Sequence, residues 1–293
     1  MGLFNKSKCY DGYLVSKLDP VVFMMPYIMP RKVDSEVMIE LKIDTEIVEK
    51  FIKEQRKENI KDLTLYHIVF AALVRAASVT PEINRFIKGN RIYQRKDVKV
   101  SMVVKKELAI DGKESTIFPR FDETDTLKDI VEKIKKDADK AFESKKDDSN
   151  DFDRFTKILY KIPPVILRGA INTLIFLDKK GILPNFLVNL QPFHSGFFVS
   201  NVGSIGLPVI YHHLYEFGTT SCFATIGKKE NVNVVRTSGE VVRKRYLPLK
   251  FVLDGRICDG FTYSTAVRTI KKCFENPEWL LESYSNPTGI NKK

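Results

Sequence analysis

The stretch LKFVLDGRICDG, residues 249–260, carries the strongest structural signal in the sequence. An apolar run typical of a buried strand enters an Asp-Gly pair, turns, reaches a second Asp-Gly pair and passes directly into helix-like periodicity. Turns between a strand and a helix are where α/β proteins often place catalytic side chains. Asp-Gly pairs also shape ordinary tight turns. Two roles are therefore open for Asp254 and Asp259: they either take part in a reaction or only cap and shape the turn.

The chain is long enough for one large domain or two small ones, and the order of its predicted strands and helices favours a single, soluble α/β domain over residues 1–293. Apolar residues make up 43% of the chain, which is enough for a substantial core. The sequence contains no apolar run of membrane-spanning length, and its start lacks a secretory pattern. Four scattered cysteines without ligand spacing indicate reduced thiols and no metal site. A cytoplasmic location is therefore expected.

The formal net charge of +11 raises nucleic acid, an acidic membrane surface or an anionic ligand as partners. The basic residues are spread along the chain and mixed with 37 acidic ones. The densest basic cluster, Arg236 with residues 243–245, lacks the interleaved aromatic side chains of a nucleic-acid surface. No nucleic-acid partner is therefore expected, and the charge indicates either a solvated basic face or a ligand that carries phosphate.

Periodicity predicts most of the secondary structure. Three prolines within residues 1–35 predict an irregular N-terminal arm lying on an apolar surface. Residues 36–43 alternate as a half-buried strand, and residues 63–79 are apolar all round, as in a buried helix that contains a structural His67. Further strands are predicted at residues 91–94, 98–104, 197–203 and 222–226, a hairpin at 232–235 and 240–245, and helices after Thr45 and at 126–142 and 261–274.

Residues 144–191 form an apolar helical insertion. Residues 145–153 are highly charged and predict a surface segment. Residues 158–190 are rich in Leu and Ile and are broken by Pro and Gly, which predicts short amphipathic helices. These helices would cover a hydrophobic opening or a neighbouring subunit. Contact with a membrane is not favoured, because the segment carries only a handful of cations.

Several motifs together resemble a known family. SNVG at residues 200–203, a strand ending at Gly227, and LPL at residues 247–249 leading into residues 254–260 occur in the order found in the catalytic domain of 2-oxo acid dehydrogenase acyltransferases. This domain belongs to the chloramphenicol acetyltransferase-like superfamily. The likeness extends over residues 37–281, apart from the insertion.

The resemblance implies a two-layer α/β sandwich in which helices cover a mixed sheet. It also implies a homotrimer, open to larger assembly, with active sites at the subunit interfaces. The reaction would transfer an acyl group between coenzyme A and a thiol or hydroxyl acceptor. Coenzyme A or acyl-coenzyme A would be a substrate, and no bound prosthetic group is expected. No lipoyl or linker domain is recognised, so a free-standing catalytic domain is expected.

The family motif DHRxxDG places residue roles on this chain. In the family, the histidine is the general base, the last aspartate orients the turn through an arginine pair, and a serine of the neighbouring subunit stabilises the oxyanion. Ser200 corresponds to that serine. The resemblance also assigns five residues of the turn to positions of this motif, namely Asp254, Gly255, Arg256, Asp259 and Gly260. Gly255 stands where the family has the catalytic histidine.

Two histidines are candidates for the missing base. His212 and His213 follow the Ser200 strand, and one of them could enter the active-site channel. The alternative is that the pair only packs with Tyr211 and Tyr215. The thiol of Cys258 is a further candidate, for which a role without catalysis is favoured. If no base replaces the histidine, the chain is a pseudoenzyme whose trimeric scaffold binds a ligand or a protein.

Overall fold

The centre of the fold is a mixed β-sheet, seen in a computed structural model that describes residues 8–9, 11–105, 114–143 and 151–284. The strands found within these residues are β1 Lys8–Cys9, β2 Gly12–Leu14, β3 Glu36–Asp44, β4 Arg85–Lys88, β5 Arg91–Arg95, β6 Val98–Lys105, β7 Glu114–Ile117, β8 Arg120–Phe121, β9 Phe197–Asn201, β10 Cys222–Ile226, β11 Glu230–Val235 and β12 Val241–Asp254. The helices found there are α1 Pro20–Ile28, α2 Glu46–Glu58, α3 Leu65–Val79, α4 Leu127–Glu143, α5 Asp151–Tyr160, α6 Pro164–Lys180, α7 Asn185–Leu190 and α8 Gly260–Glu275.

The main sheet has the strand order β11-β12-β10-β9-β6-β7, with β3 paired to β12 and β8 paired to β6. Strand β9 runs parallel to both β10 and β6, whereas the remaining pairs are antiparallel. A second, antiparallel sheet has the order β1-β2-β5-β4. The predicted α/β class with a mixed sheet covered by helices is confirmed.

One face of the main sheet is covered by α2, α3, α4 and α8, which form the hydrophobic core with it. Helix α3 is buried from Ile68 to Ser78, as its apolar composition predicts. The side chain of Thr64 caps its first turn, and Nδ1 of His67 accepts a hydrogen bond from the backbone N–H of Thr64 at 3.1 Å. Burial lowers the pKa of His67 to about 4, so the neutral ring is held as a helix cap. The structural role predicted for His67 is confirmed.

The opposite face of the main sheet, called here the open face, carries Phe198, Ser200, Phe223, Thr225 and Val252. Alternation along the strands turns these side chains away from the helices. A segment spanning residues 207–218 lies across this face. Leu214 in that segment packs with the buried phenylalanines and Val252 in a small cluster of its own.

The prediction of an irregular N-terminal arm is wrong at residues 20–28, which form helix α1. Asp19 caps this helix by accepting a hydrogen bond from the backbone N–H of Val21 at 2.8 Å. Pro20 occupies the first turn, where a missing N–H has no cost. The helix leaves large apolar side chains exposed, namely Val21, Phe23, Met24, Tyr27 and Ile28.

The insertion folds into α5, α6 and α7, as the amphipathic pattern predicts. The charged surface segment predicted at residues 145–153 lies mostly outside the described residues. Helix α6 ends at Gly181, whose φ of 74° is in the left-handed region that favours glycine at a helix end. Among the helices that the structure describes, none combines the length and the hydrophobicity needed to cross a bilayer.

Candidate active site

The motif turn, defined as residues 254–260, joins the end of β12 to the start of α8. Asp254 and Arg256 form a bidentate ion pair, in which Nε donates to Oδ1 at 2.8 Å and Nη2 donates to Oδ2 at 2.7 Å. Both side chains are buried, with exposed fractions of 2% and 4%. The hydroxyl of Ser35 donates a further hydrogen bond to Oδ1 of Asp254 at 3.1 Å. The carboxylate is therefore occupied in holding the turn.

The N-terminal arm and α8 complete the network around this ion pair. Nη1 of Arg256 donates to the carbonyl oxygen of Met29 at 3.0 Å. The hydroxyl of Tyr263 donates to the carbonyl oxygen of Asp254 at 2.7 Å. A buried charge pair stabilises a fold only when its remaining hydrogen-bonding groups are also satisfied, and this network meets that condition.

Gly255 is in close contact with the start of β3. Its N–H donates to the carbonyl oxygen of Ser35 at 2.8 Å. A Cβ atom built at this position would lie 2.8 Å from the same oxygen and 3.0 Å from Cγ2 of Val37. The position that the resemblance assigns to a catalytic histidine is therefore filled by β3 and cannot hold a side chain without a shift of backbone.

The resemblance implies that Asp259 orients the turn by pairing with an arginine, and this prediction is wrong. Arg256 pairs with Asp254, whereas Asp259 caps α8 by accepting a hydrogen bond from the backbone N–H of Thr262 at 2.7 Å. That backbone hydrogen bond lowers the pKa of Asp259. The structural reading of both aspartates, as residues that shape the turn, therefore describes the observed contacts.

Cys258 lies in the same turn and is buried. Burial raises the pKa of its thiol to about 12. A thiolate is the nucleophilic form of cysteine, and this environment suppresses it. The contacts of Cys258 therefore agree with the interpretation that it has no catalytic role.

Ser200 lies on the open face, near the end of β9. It is half-buried and pairs in register with Thr225 of β10, which in turn pairs with Lys250 of β12. The segment 207–218 covers these neighbours. The hydroxyl of Thr225 donates to the carbonyl oxygen of Ile210, and the ammonium of Lys250 lies 4.5 Å from the ring centre of Tyr211.

The histidine pair lies on the same face of the sheet as Ser200. The ring of His212 stacks on Phe223, with 4.0 Å between ring centres, and on His213, with 4.5 Å between ring centres. Phe223 precedes Thr225, the register partner of Ser200, by two residues. Tyr215 also contacts both histidine rings, with ring centres 5.7 Å and 5.6 Å away. The predicted packing against Tyr215 is therefore observed, and a role as base rests on the position of the pair on the same face as Ser200.

One hydrogen bond fixes the tautomer of His212. Its Nδ1 lies 2.9 Å from the carbonyl oxygen of His213. Because a carbonyl oxygen only accepts, Nδ1 of the neutral ring carries the hydrogen. The lone pair of the neutral imidazole is then on Nε2, which is the arrangement that a general base requires.

Within one chain, the motif turn and Ser200 are far apart. Ser200 aligns with Lys250 across β10, whereas Asp254 lies four residues further along β12, where its backbone N–H donates to the carbonyl oxygen of Ser221. At about 3.3 Å per residue this separation is roughly 13 Å. The two predicted parts of the site are therefore not brought together in a single copy.

A basic pocket of about 490 Å³ lies where β9 and β10 end. Lys228, Lys229 and Arg245 line it, together with Leu65 and Tyr66 from the first turn of α3. The carboxylate of Glu49 forms ion pairs with two of these cationic side chains. Its Oε1 is 2.8 Å from Nζ of Lys229, and its Oε2 is 3.3 Å from Nη1 of Arg245. Positive charge remains in excess, so the pocket suits an anion.

A comparison with family models matches the C-terminal part of the chain. Residues 191–282 match the family described as 2-oxoacid dehydrogenases acyltransferase (catalytic domain). The resemblance seen in the sequence is confirmed. No curated protein matches the chain significantly.

Solved acyltransferase cores have a similar fold. A probable dihydrolipoamide acetyltransferase from Listeria monocytogenes is 15% identical with a TM-score of 0.55, over 89% of this chain and 94% of that chain. A truncated catalytic core of the 2-oxoacid dehydrogenase multienzyme complex from Thermoplasma acidophilum is 14% identical with a TM-score of 0.51, over 90% and 98%. The cubic core of the pyruvate dehydrogenase multienzyme complex is 14% identical with a TM-score of 0.50, over 91% and 94%. At these identities, the similarity establishes the shared fold.

A buried His–Asp pair could not be recognised from any sequence pattern. Nε2 of His194 lies 2.9 Å from Oδ1 of Asp178, and Oδ2 of Asp178 accepts from the backbone N–H of Gly218 at 2.9 Å. Burial lowers the pKa of His194, so the neutral ring donates from Nε2. Asp178 belongs to α6, and its bond to Gly218 fastens the insertion to the segment that carries the histidine pair.

Lys32 is a second residue that sequence reasoning missed. Its buried ammonium donates to the carbonyl oxygens of Tyr215 and Gly218, each at 2.8 Å. Burial lowers its pKa to about 8, although the charge of Asp254 opposes that shift. Lys32 thus connects the N-terminal arm, the segment 207–218 and the motif turn. A lone lysine in an arm that is read as irregular offers no pattern from which this role could be predicted.

Proposed function

We propose that this protein transfers an acyl group between coenzyme A and a thiol or hydroxyl acceptor on the open face. The observation that carries the proposal is the placement of Ser200 and His212 on the same face of the sheet. His212 takes the role of base, which Gly255 cannot supply. His213 holds Nδ1 of His212 through its carbonyl oxygen.

The chemical step follows from these groups. Nε2 of His212 accepts the proton of the acceptor S–H or O–H, and the resulting anion attacks the thioester carbonyl. Ser200 donates a hydrogen bond to the oxyanion that forms. When the tetrahedral intermediate collapses, the C–S bond breaks and the coenzyme A thiolate leaves, taking the proton back from His212. The acyl group is then on the acceptor, and free coenzyme A is released.

The basic pocket supports coenzyme A as the carrier. Phosphate groups bind well where cations meet the N-terminus of a helix, because backbone N–H groups and the helix dipole both favour negative charge. Lys228, Lys229 and Arg245 together with the first turn of α3 provide this combination. Asn201 also lines the pocket and directly follows Ser200. The phosphates would then bind at the end of β9, on the side of the sheet that α3 covers, and the thioester would pass the strand end to reach Ser200 on the open face.

Self-association, with a homotrimer as the expected form, belongs to the same proposal. In one chain Asp254 lies roughly 13 Å along β12 from Lys250, and Ser200 lies two strands further across the sheet. The motif turn and Ser200 could therefore share a site only if two copies contribute. Met38 on β3 and most of the apolar side of α1 are exposed, which suits contact with another copy. The roles of Asp254, Arg256 and Asp259 are then to brace the edge of such a site.

The test is turnover by the full chain with acetyl-coenzyme A and a small thiol or alcohol, followed as released coenzyme A by chromatography. His212→Ala should reduce kcat by roughly 10²–10⁴-fold, as expected for the loss of a general base. Ser200→Ala should reduce it by about 10²–10³-fold, as expected for the loss of an oxyanion donor. His213→Ala should have a smaller effect, because a backbone carbonyl remains at position 213.

Ser238→Ala in the exposed β11–β12 turn serves as the matched control and should leave kcat unchanged. Undiminished turnover in His212→Ala would refute the assignment of the base. Mass measurement of the purified chain under native conditions tests the trimer separately.

The second candidate function is that of a pseudoenzyme, and the close contact at Gly255 favours it. That position is filled by Ser35 and Val37, so the turn is closed to the chemistry of its relatives. A pseudoenzyme would keep the scaffold and bind coenzyme A or a protein without reaction. Thermal stabilisation by coenzyme A, with no release of free thiol from acetyl-coenzyme A, would establish this alternative.

A further inference from the structure

A cavity of about 290 Å³ lies within the helical insertion. Leu159 from α5, Leu174 from α6 and Leu187 from α7 contribute to its walls, and Phe193 and Phe217 complete the lining. Neither Ser200 nor any residue of the motif turn lines it. The cavity is therefore distinct from the candidate active site.

The lining is almost entirely aliphatic and aromatic. Thr156 and Gln191 are its polar members. A polar group moved from water into such surroundings has too few partners to replace its lost hydrogen bonds. The part of a ligand that enters must therefore be hydrocarbon, and any charged end must stay at the opening.

The helices around the cavity lack a full set of packing partners in one chain. Leu174 and Ile175 on α6 face the cavity and stay half-buried, whereas Phe176 on the same helix is 56% exposed. Protein interiors are normally close-packed, and side chains beside a void lose dispersion contacts on that side. An apolar occupant would supply those contacts and complete a small core between α5, α6 and α7.

The volume sets the size of that occupant. An apolar cavity of about 150 Å³ lined by Leu, Ile and Phe holds one benzene molecule, so 290 Å³ accommodates roughly a dozen carbon atoms. We propose that this cavity binds the straight hydrocarbon chain of a medium-length acyl group. Its source is either a free fatty acid or an acyl thioester. This inference concerns chain binding and holds whether or not the open face is catalytically active.

The test is isothermal titration calorimetry of the full chain with straight-chain carboxylates from hexanoate to tetradecanoate, below their micelle concentrations. The same series is run as coenzyme A thioesters, with coenzyme A alone as the reference. Each added methylene should tighten binding by about fourfold. The gain should stop near a dozen carbons, where the cavity is full.

Cavity-filling variants locate the binding site. Leu174→Trp should weaken binding of decanoate or decanoyl-coenzyme A by at least the effect of several methylenes, about 50-fold or more. Phe176→Trp is the matched control on the same helix, and it should leave the affinity unchanged because this side chain lies outside the cavity. If Leu174→Trp does not fold, Leu187→Trp fills the cavity from α7 instead.

The two series distinguish the source of the chain. Equal length dependence in both series identifies a free fatty acid as sufficient, whereas length dependence confined to the thioesters identifies an acyl thioester. The proposal is overturned if neither series binds, if affinity does not depend on chain length, or if Leu174→Trp and Phe176→Trp behave alike. Loss of turnover in the Ser200 and His212 variants would leave these results unchanged, so the two proposals fail separately.

Discussion

The motif turn and the open face of the main sheet differ in how their polar groups are used. In the motif turn, the carboxylate of Asp254 is fully engaged by Arg256 and Ser35, and β3 lies against Gly255. On the open face, Ser200 is only half-buried, and His212 makes one polar contact through Nδ1. The turn has the features of a structural brace, whereas the open face keeps reactive atoms available.

The difference teaches that a sequence motif can mark a structural brace without marking the atoms that are free to react. An ion pair that is buried and fully hydrogen-bonded rigidifies the backbone around it. It does not also bind a substrate, because its donors and acceptors are already used. Free hydrogen-bonding atoms on a partly covered surface are the better guide to where a reaction can occur.

The largest expected effect is on stability, at the motif turn. Arg256→Met should lower the free energy of unfolding by about 3–5 kcal/mol, because it leaves the carboxylate of Asp254 buried without its partner. Urea unfolding followed by circular dichroism measures the change. Arg236→Met is the matched control, since its pair with Glu240 is exposed, and it should stay within about 1 kcal/mol. Equal effects of the two variants would contradict the view of the turn as a brace.

Restoring the family histidine tests whether the turn could still be catalytic. Gly255→His should cost about 1–3 kcal/mol of stability, because its Cβ would crowd the carbonyl oxygen of Ser35. It should not increase the release of coenzyme A. Gly255→Ala is the control that introduces the same Cβ without an imidazole. A rise in kcat for the histidine variant alone would break the distinction between the two regions.

A buried cation without a partner provides the contrasting case to Arg256. Nζ of Lys99 has no hydrogen-bond partner in the part of the chain that the structure describes, and it lies 4.8 Å from the ring centre of Phe118. Lys99→Met should therefore raise stability by roughly 1–3 kcal/mol near pH 7, because the cost of burying an unpaired donor is removed. The exposed Lys42 serves as the control, and its change to Met should have little effect.

The pH dependence of the same variant sharpens this prediction. Burial lowers the pKa of Lys99 from 10.5 to about 7. Between these values the unfolded lysine keeps a proton that the folded lysine has lost, so the stability that this group contributes falls as pH decreases from 10.5 towards 7. Unfolding curves at several pH values should show a smaller rise of stability with pH in Lys99→Met than in the unaltered chain. Parallel curves would show that Lys99 stays charged when folded.

The smallest effect is expected at the cap of α8. Asp259→Ala should cost about 1 kcal/mol, because the backbone N–H of Thr262 loses its acceptor. Asp259→Asn keeps an acceptor at that position and should cost less. Because the pKa of Asp259 is lowered in the folded chain, the stability that its carboxylate contributes is lost as pH falls into the acid range. The difference between aspartate and asparagine should therefore shrink below that range. If Asp259→Ala cost more stability than Arg256→Met, the helix cap would matter more than the Asp254–Arg256 ion pair, against this prediction.

The regular elements with strong periodicity could be predicted from the sequence. Strand β3 and helices α3 and α8 bury the faces that alternation and helical spacing indicate. Helix α1 could not be found in this way, because its apolar residues show no one-sided pattern and its prolines suggest a break. In the structure Pro20 occupies the first turn, and Asp19 supplies the cap.

The candidate site was only partly predictable, because its contacts join residues that are distant in sequence. The motif identified the right turn, yet the resemblance implied an arginine partner for Asp259, whereas the arginine of the turn pairs with Asp254. The approach of Ser35 to Gly255 depends on the register of β3 against β12, which local patterns do not specify. The hydrogen bond between Asp178 and Gly218 depends on how the insertion folds back. The family resemblance indicated which residues belong to the site, whereas the residues that they contact could be seen only in the tertiary structure.

The pairing of β12 with β3 means that the region of sequence similarity is not an autonomous folding unit. Residues 191–282 contain β12 with β10 and β11 but not β3, which pairs with the other edge of β12, and they lack the Ser35 and Met29 groups that satisfy Asp254 and Arg256. Excising that segment would expose an unpaired edge of β12 and would remove hydrogen-bonding partners from the buried Asp254–Arg256 ion pair. The limits of an inherited motif and the limits of a stable domain are therefore different boundaries, and dissection of this chain has to follow the second.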